Sequence, residues 1–166
     1  MSPRPSRTSL ERALVGPAGE HYVLYKLHML GMLAALAPRN APSVDILVLN
    51  EDETIASTLQ VKTRTYGRDG GWHMSLKHET LVRPSLIYVF VDLEPTIPVT
   101  YVVPSATVAR IVKSAHEVWL ATPGRDGRAH RAHDLRRILP AYDYPVPDAP
   151  DGWMERFKDK WDLVRS

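Results

Sequence analysis

Polar side chains stand at the ends of two apolar segments near the middle of the chain. The stretch DILVLNEDETIASTLQVK opens with Asp45 and closes with Gln60, Val61 and Lys62. Apolar residues around an acidic turn predict a β-hairpin, and side chains alternate between the two faces of a strand. Gln60 and Lys62 are therefore expected on one face of the second strand, with Val61 on the other.

The register of this hairpin decides whether the aspartate joins them. A four-residue loop at 51–54 pairs Asn50 with Ile55, and counting back from that pair places Asp45 opposite Gln60. Directly opposed residues have Cβ atoms about 5 Å apart, whereas a slip of one residue would break the pairing. In this register a carboxylate, an amide oxygen and an ammonium group converge on one patch of the sheet.

A fourth polar group comes from a predicted helix, GEHYVLYKLHML. At about 100° per residue, Glu20 falls within the apolar arc of Val23, Leu24 and Leu27, which is the face that packs on a sheet. A carboxylate on such a face is unfavourable unless a cation or hydrogen bonds compensate its charge. The alternative is that Glu20 simply lies in the first helical turn, where acidic side chains suit the helix dipole.

Together these groups suit one kind of chemistry. Two carboxylates and an amide oxygen form an oxygen-rich site of the sort that Mg²⁺ accepts, with water filling the other positions. A neighbouring lysine, here Lys62, can orient or help to deprotonate a water that attacks a phosphodiester, and can offset charge on the phosphorus. The alternative is an ordinary sheet in which Asp45 and Lys62 form a salt bridge or a surface pair.

Basic residues are grouped along the chain. The formal net charge is only +2, with a pI near 8.9, which permits nucleic-acid binding without indicating it. One group follows the hairpin and a second lies later in the chain, and either group has a solvated surface as its alternative. The members expected to contact backbone phosphates are Arg64, Arg68, Lys77, Arg125, Arg128 and Arg131. Ser75 and His78 could reach the patch of the sheet that carries Asp45, Gln60 and Lys62, or could lie on a surface helix.

Length and composition bound the class of protein. At 166 residues, with 44% hydrophobic and 24% charged residues, the chain suits one domain with a proper core. It has no cysteine, which excludes disulfides and thiolate zinc sites and suits a reducing compartment. No apolar stretch approaches the roughly 20 residues that cross a bilayer. Residues 1–15 lack an apolar h-region, so we expect a flexible arm there and a cytoplasmic protein.

Residue periodicity predicts a single α/β domain over 16–166. The predicted helices lie at 17–30, 73–83, 106–120 and 152–164, and the predicted strands at 32–37, 43–50, 54–63, 85–93 and 97–104, with an irregular segment at 121–150. Trp153, Phe157 and Trp161 follow at four-residue spacing, which favours core packing over the alternative of base stacking. The element order indicates a mixed β-sheet with helices packed on it.

The residues and the element order together resemble the PD-(D/E)XK nuclease superfamily, which includes restriction endonucleases and Holliday junction resolvases. Its αβββαβ core is similar to the order predicted over about 17–92, which leaves 93–166 as a C-terminal extension. The superfamily's first-helix Glu looks like Glu20, its strand Asp looks like Asp45 in PSVDILVL, and its (D/E)XK motif looks like Gln60-Val61-Lys62. Gln60 departs from the usual Asp or Glu and removes one negative charge from the site.

The resemblance implies a Mg²⁺- or Mn²⁺-dependent endonuclease that hydrolyses phosphodiester bonds in nucleic acid, with DNA as the expected substrate. Asp45, Glu20, Gln60 and the Val61 carbonyl would hold the metal, and Lys62 would serve the attacking water. A homodimer would fit, because two sites can cut both strands. Two alternatives stay open: a catalytically silent module of this fold that binds nucleic acid or a protein partner, and a small α/β protein whose polar hairpin is structural.

Overall fold

The computed structural model describes residues 9–65, 70–124 and 126–164. Within them the α-helices are α1 (Ser9–Met29) and α2 (Ser105–Ala121). The strands are β1 (Leu33–Leu36), β2 (Ile46–Leu49), β3 (Ile55–Arg64), β4 (Trp72–Ser75), β5 (Leu86–Asp92), β6 (Val99–Pro104) and β7 (Leu135–Ile138). Short 3₁₀ helices lie at Leu76–Glu79, Glu155–Phe157 and Trp161–Leu163. None of the described helices is both long enough and apolar enough to cross a membrane.

Five of the strands form one mixed sheet in the order β1-β2-β3-β5-β6. β1, β2 and β3 are an antiparallel meander, β3 and β5 run parallel, and β6 returns antiparallel to β5. The other two strands, β4 and β7, pair with each other as a separate antiparallel ribbon. The predicted α/β class with a mixed sheet is confirmed.

Each face of this sheet is covered by its own apolar core. All the residues of β5 are buried, which is the pattern of a strand covered on both faces. On one face, Val23 and Leu27 of α1 pack in a cluster with Leu59 and Val61 of β3. On the other face, α2 packs in a second cluster with β5 and the β4–β7 ribbon through its predicted apolar stripe, which is Val108, Ile111, Val112 and Ala115.

The alternation of β3 follows from these two cores. Leu59 and Val61 point toward α1, so Gln60 and Lys62 point toward the side of α2 and the β4–β7 ribbon. The parallel register pairs Gln60 with Tyr88 of β5, whose side chain belongs to the core on that second side. The predicted sharing of one face by Gln60 and Lys62 agrees with this packing.

Helix α1 begins at Ser9, eight positions before the predicted start at residue 17, so residues 9–15 of the predicted arm are helical. Pro17 lies inside the helix, where it lacks an N–H and is normally unfavourable by about 3 kcal/mol. The preceding residue is Gly16, which has no Cβ to clash with the proline ring, so the helical conformation stays accessible there. Gly31, with φ of 74°, ends the helix as predicted.

Two segments predicted from local pattern are different in the structure. The helix predicted at 73–83 is strand β4 followed by a single 3₁₀ turn, and the irregular segment predicted at 121–150 contains strand β7. The side chains of β4 alternate between buried and more exposed, with Trp72 and Met74 inside, which is a strand period. β7 was not predicted because it contains a buried arginine, Arg136. An ion pair with Glu79, a residue distant in the sequence, compensates the charge of this arginine.

The predicted terminal helix at 152–164 is replaced by two 3₁₀ turns. Four-residue spacing on one helix would put Trp153, Phe157 and Trp161 on a single face. Instead Trp153 is buried in the core beside α2, while Trp161 is buried in the core beside α1. The chain crosses the β6 edge between them, where Asp159 N–H donates to the Thr100 carbonyl at 3.0 Å. The preference for core packing over base stacking agrees with this burial.

Candidate active site

Asp45 is held by the strand next to it. Its N–H donates to the Leu59 carbonyl at 2.8 Å, and its carboxylate Oδ2 accepts the Val61 N–H at 2.7 Å. Ile46 pairs with Leu59 in the ladder, so the register continues to bring Asp45 beside Gln60. A carboxylate has several lone-pair positions, and this fixed one retains capacity for a cation.

The turn end of the hairpin differs from the prediction. Leu49, and not Asn50, pairs with Ile55, so the predicted Asn50–Ile55 pair is wrong. Asn50 N–H donates to the Thr54 carbonyl at 2.8 Å and closes the turn. The register shift is confined to this end of the ladder, so the far end pairs Ile46 with Leu59, as the predicted register requires.

Gln60 is buried and Lys62 is half-buried, and both belong to the strand that holds this carboxylate. Gln60 is only 6% exposed, and its Oε1 has no hydrogen-bond partner within the described part of the chain. Burial lowers the pKa of Lys62, the Asp45 carboxylate opposes that shift, and the positive charge of Lys77 adds to it. The site thus combines an amide oxygen without a partner and a desolvated ammonium group held near a carboxylate.

Helix α1 packs on the face of β3 opposite to Gln60 and Lys62, and a close contact with β3 brings its Glu20 within electrostatic range of Asp45. Gly19 faces Thr63 so closely that a Cβ at this position would collide with the threonine Oγ1 and would lie 2.8 Å from its Cγ2. Burial raises the pKa of the adjacent Glu20 carboxyl, and the negative charge of Asp45 raises it further. Two carboxylates that repel one another in a half-buried position attract a cation between them.

Gly19→Ala is expected to destabilise the protein by about 1–3 kcal/mol, although alanine favours a helix over glycine, because the new methyl group collides with Thr63. The helix must then move away from β3 and carry Glu20 with it. Thermal unfolding measures the loss. The double variant Gly19→Ala/Thr63→Ala should recover part of it, and a Gly19→Ala protein as stable as wild type would contradict the close contact.

Glu20→Gln is expected to stabilise the metal-free protein at pH 7. The folded-state pKa of Glu20 is raised, so its contribution to stability is present below its unfolded pKa of about 4.3 and is lost as pH rises through the folded value. Relieving that loss should raise the free energy of unfolding by less than about 1 kcal/mol, because solvent screens much of the repulsion at this partly exposed position. The comparison is urea unfolding in EDTA at pH 4 and 7, with the exposed Glu117→Gln as control. A gain that is equal at both pH values would contradict the repulsion.

The donor set suits a hard divalent cation. The described residues contain no cluster of three or more His, Cys, Asp or Glu side chains arranged to hold a metal. The candidate set is instead the carboxylates of Glu20 and Asp45 together with the neutral amide of Gln60. Oxygen ligands of this kind are those that Mg²⁺ and Mn²⁺ prefer, and the buried Oε1 without a partner is a ready acceptor for such an ion.

The residues predicted to contact phosphates are found in different settings. Lys77 lies close to the site, where its Nζ donates to Ser43 Oγ at 3.1 Å just before Asp45. Arg128 is an exposed residue with an ion pair to Asp126 at 3.4 Å, and Arg131 is exposed. Arg68 and Arg125 lie outside the described residues.

Arg64 is engaged inside the protein. Its guanidinium forms an ion pair with Asp92 at 2.5 Å and lies 4.1 Å above the centre of the Trp72 ring. The side chains of this pair are only 19% and 11% exposed. These contacts join the ends of β3 and β5 to the β4–β7 ribbon and leave little of the guanidinium for a phosphate.

Arg64→Ala is therefore expected to destabilise the protein by about 2 kcal/mol, because it leaves the Asp92 carboxylate mostly buried without its main cation. Arg128→Ala is the matched control: it breaks an ion pair whose side chains are 87% and 61% exposed, and it should change stability by less than about 0.5 kcal/mol. Urea unfolding compares them. Equal effects would contradict the structural role of Arg64.

Two further polar residues lie against the site. His78 is 2% exposed, and Lys62 is close enough for its charge to help lower the pKa of that histidine. Tyr88 is paired with Gln60 in the sheet and is fully buried. The sequence indicated His78 only as one of several residues near the cleft, and it indicated Tyr88 only as part of an apolar strand. A tyrosine within such a strand, aligned with the glutamine, was the available signal.

The fold is similar to that of a known nuclease. The bacterial homing endonuclease I-Ssp6803I aligns over 92% of this chain and 91% of its own, with a TM-score of 0.51 and 9% sequence identity. No family model matches the chain, and no curated protein matches it by sequence. At this identity the likeness concerns the fold: a mixed five-stranded sheet with helices, of an endonuclease-like type.

Proposed function

We propose that this protein is a Mg²⁺- or Mn²⁺-dependent endonuclease of the PD-(D/E)XK type, acting on phosphodiester bonds in DNA. The observation that carries the proposal is that the Asp45 carboxylate, held by the Val61 N–H, lies within electrostatic range of Lys62 on β3 and of Glu20 on α1. Gln60 is next to it in the register of the β2–β3 hairpin. The endonuclease-like fold supports the same reading.

Glu20, Asp45, Gln60 Oε1 and the Val61 carbonyl are the oxygen donors that would hold the cation. When bound, the cation supplies Lewis-acid polarisation of the phosphoryl oxygen and lowers the pKa of a nearby water. The chain's own contribution is the fixed placement of these donors, since the Val61 N–H holds the Asp45 carboxylate and the Gly19–Thr63 contact holds α1. Gln60 makes this donor set less negative than one with a third carboxylate.

Lys62 would act on the nucleophile and on the charge of the reacting phosphate. Burial lowers its pKa, so its ammonium gives up a proton more readily than an exposed lysine does. It can therefore orient the attacking water, accept a proton from it when neutral, or offset charge on the phosphorus when protonated.

Substrate binding would rest on cations that approach the backbone without reading bases. Lys77 beside Ser43 is the nearest such cation, and Arg128 and Arg131 provide exposed charge. Arg68 and Arg125 stay predicted members of this set. A homodimer would present two sites and so cut both strands of a duplex.

The test is cleavage of supercoiled, linear and single-stranded DNA by the purified protein with Mg²⁺, with Mn²⁺ and with EDTA. The proposal expects nicking or linearisation that needs a divalent ion and is abolished by EDTA. Salt-sensitive DNA binding without any cleavage would favour the catalytically silent module instead, and gain of cleavage by Gln60→Glu would then identify the missing charge as the reason. A folded protein that neither binds nor cleaves DNA would overturn the proposal.

A further inference from the structure

A set of buried polar atoms without hydrogen-bond partners lies directly behind the proposed site. Within the described residues these atoms are Gln60 Oε1, the Tyr88 hydroxyl and His78 Nε2, on side chains 6%, 0% and 2% exposed. Buried polar groups are nearly always hydrogen-bonded, and leaving one without a partner is unfavourable. Neighbouring groups of this kind next to a candidate metal ligand point to a function for them.

Tyr88 connects the other two residues. The parallel register of β3 and β5 pairs it with Gln60, so both side chains extend from the same face of the sheet. Its ring lies edge-on to the His78 ring, with the ring centroids 5.8 Å apart and the planes at 66°. The three residues therefore form a continuous row from the 3₁₀ helix after β4 to the candidate metal ligand.

His78 Nδ1 is surrounded by polar groups of Ser75: it lies 2.9 Å from the N–H, 3.0 Å from the hydroxyl and 3.0 Å from the carbonyl. When Nδ1 accepts from the N–H, the proton of the neutral ring lies on Nε2, and this is the tautomer that the inference uses. Burial, with added repulsion from Lys62 and Lys77, lowers the pKa of His78 to about 4, although the contact to Ser75 opposes the shift, and the ring is neutral at pH 7. In this tautomer the row contains a donor at His78, a hydroxyl that both donates and accepts at Tyr88, and an acceptor at Gln60.

A glutamine ligand needs such a row more than a carboxylate does. The two oxygens of a carboxylate are equivalent, so either can face a cation. An amide has one oxygen and one NH₂ group, and a half-turn of its end would present donors to the metal. A site with Gln in place of Asp or Glu therefore requires an outer contact that fixes the amide with its oxygen toward the ion.

We propose that His78 and Tyr88 are positioning residues for Gln60 in the metal-loaded protein. His78 Nε2–H donates to the Tyr88 oxygen, and the Tyr88 hydroxyl donates to Gln60 Oε1, whose second lone pair faces the cation. All three buried atoms then have partners. This inference rests on the proposed function, because it assigns the orientation of one ligand in that same site.

The test measures Mn²⁺ affinity directly, by the electron paramagnetic resonance signal of free Mn²⁺, in a double-mutant cycle. Tyr88→Phe removes only the hydroxyl and should weaken Mn²⁺ binding about tenfold, the size typical of losing an outer contact to a metal ligand. In the Gln60→Glu background the same change should weaken it less than about twofold, because a carboxylate needs no such orientation. Tyr101→Phe, in the same core with its hydroxyl bonded to Glu155 at 3.2 Å, is the control and should change nothing.

A structural role alone would give different results. Tyr88→Phe would then leave Mn²⁺ affinity unchanged, or would weaken it equally in both backgrounds, and either result overturns the inference while the nuclease proposal stands. His78→Gln, which keeps an N–H donor, should retain more Mn²⁺ affinity than His78→Ala, and equal losses in the two would also overturn it. Absence of Mn²⁺ binding by a folded wild-type protein would overturn both the inference and the proposed function.

Discussion

Lys62→Ala is expected to lower the rate of DNA cleavage by about 10³-fold while the protein stays folded. Lys62 is the partly buried lysine next to Asp45 at the candidate site, and alanine provides neither a proton acceptor for the attacking water nor positive charge for the phosphate. Stability should change little, because the ammonium is desolvated and its removal relieves that penalty while it deprives Asp45 of a cation.

The measurement is single-turnover cleavage of plasmid DNA with Mg²⁺, alongside thermal unfolding. Lys113→Ala is the control, since Lys113 is exposed on α2 and should be replaceable without effect. Cooperative unfolding within about 3 °C of wild type would show that the loss is chemical. Cleavage by Lys62→Ala at the wild-type rate would remove Lys62 from the mechanism.

Asp45→Asn is expected to lower cleavage by at least about 10²-fold and to weaken divalent-metal binding, while raising or preserving the stability of the metal-free protein. Asparagine keeps an oxygen that can accept the Val61 N–H, so the local geometry should persist. What it removes is the negative charge, which attracts the cation and which also raises the pKa of Glu20 by repulsion.

Calorimetric titration with Mn²⁺ and unfolding in EDTA give the two halves of this prediction. Asp162→Asn, at an exposed position far along the chain, controls for the loss of one negative charge. A variant that loses stability in EDTA and keeps Mn²⁺ affinity would indicate that Asp45 is a structural residue paired with Lys62, which is the alternative interpretation of the hairpin.

The relative positions of the candidate site residues were easier to predict from the sequence than the elements around them, because three of these residues are close together in the chain. Asp45, Gln60 and Lys62 lie on one hairpin, so strand alternation and a short turn are enough to bring them together. The wrong Asn50–Ile55 pair did not change the register predicted for the far end of the hairpin, because the register shift is confined to the turn end of the ladder. Glu20 required only the helical period and the assumption that its apolar face packs on the sheet.

Contacts between distant segments account for what the sequence did not indicate. Strand β7 depends on the buried Arg136 meeting Glu79, and Arg64 becomes structural only because Asp92 and Trp72 surround it. The C-terminal tryptophans fit a helix by spacing, yet they fill cores on opposite faces of the sheet. No local pattern contains these partners, so propensity and periodicity alone assign such segments by their polarity.

The central claim is that Glu20, Asp45 and Gln60 hold one divalent cation, and a crystal containing Mn²⁺ tests it most directly. Anomalous diffraction should place a peak about 2–2.5 Å from an Asp45 carboxylate oxygen and from Gln60 Oε1, with Glu20 on the same ion directly or through water. A crystal at saturating Mn²⁺ with no peak among these residues, or with Gln60 presenting its NH₂ group to the ion, would contradict the account.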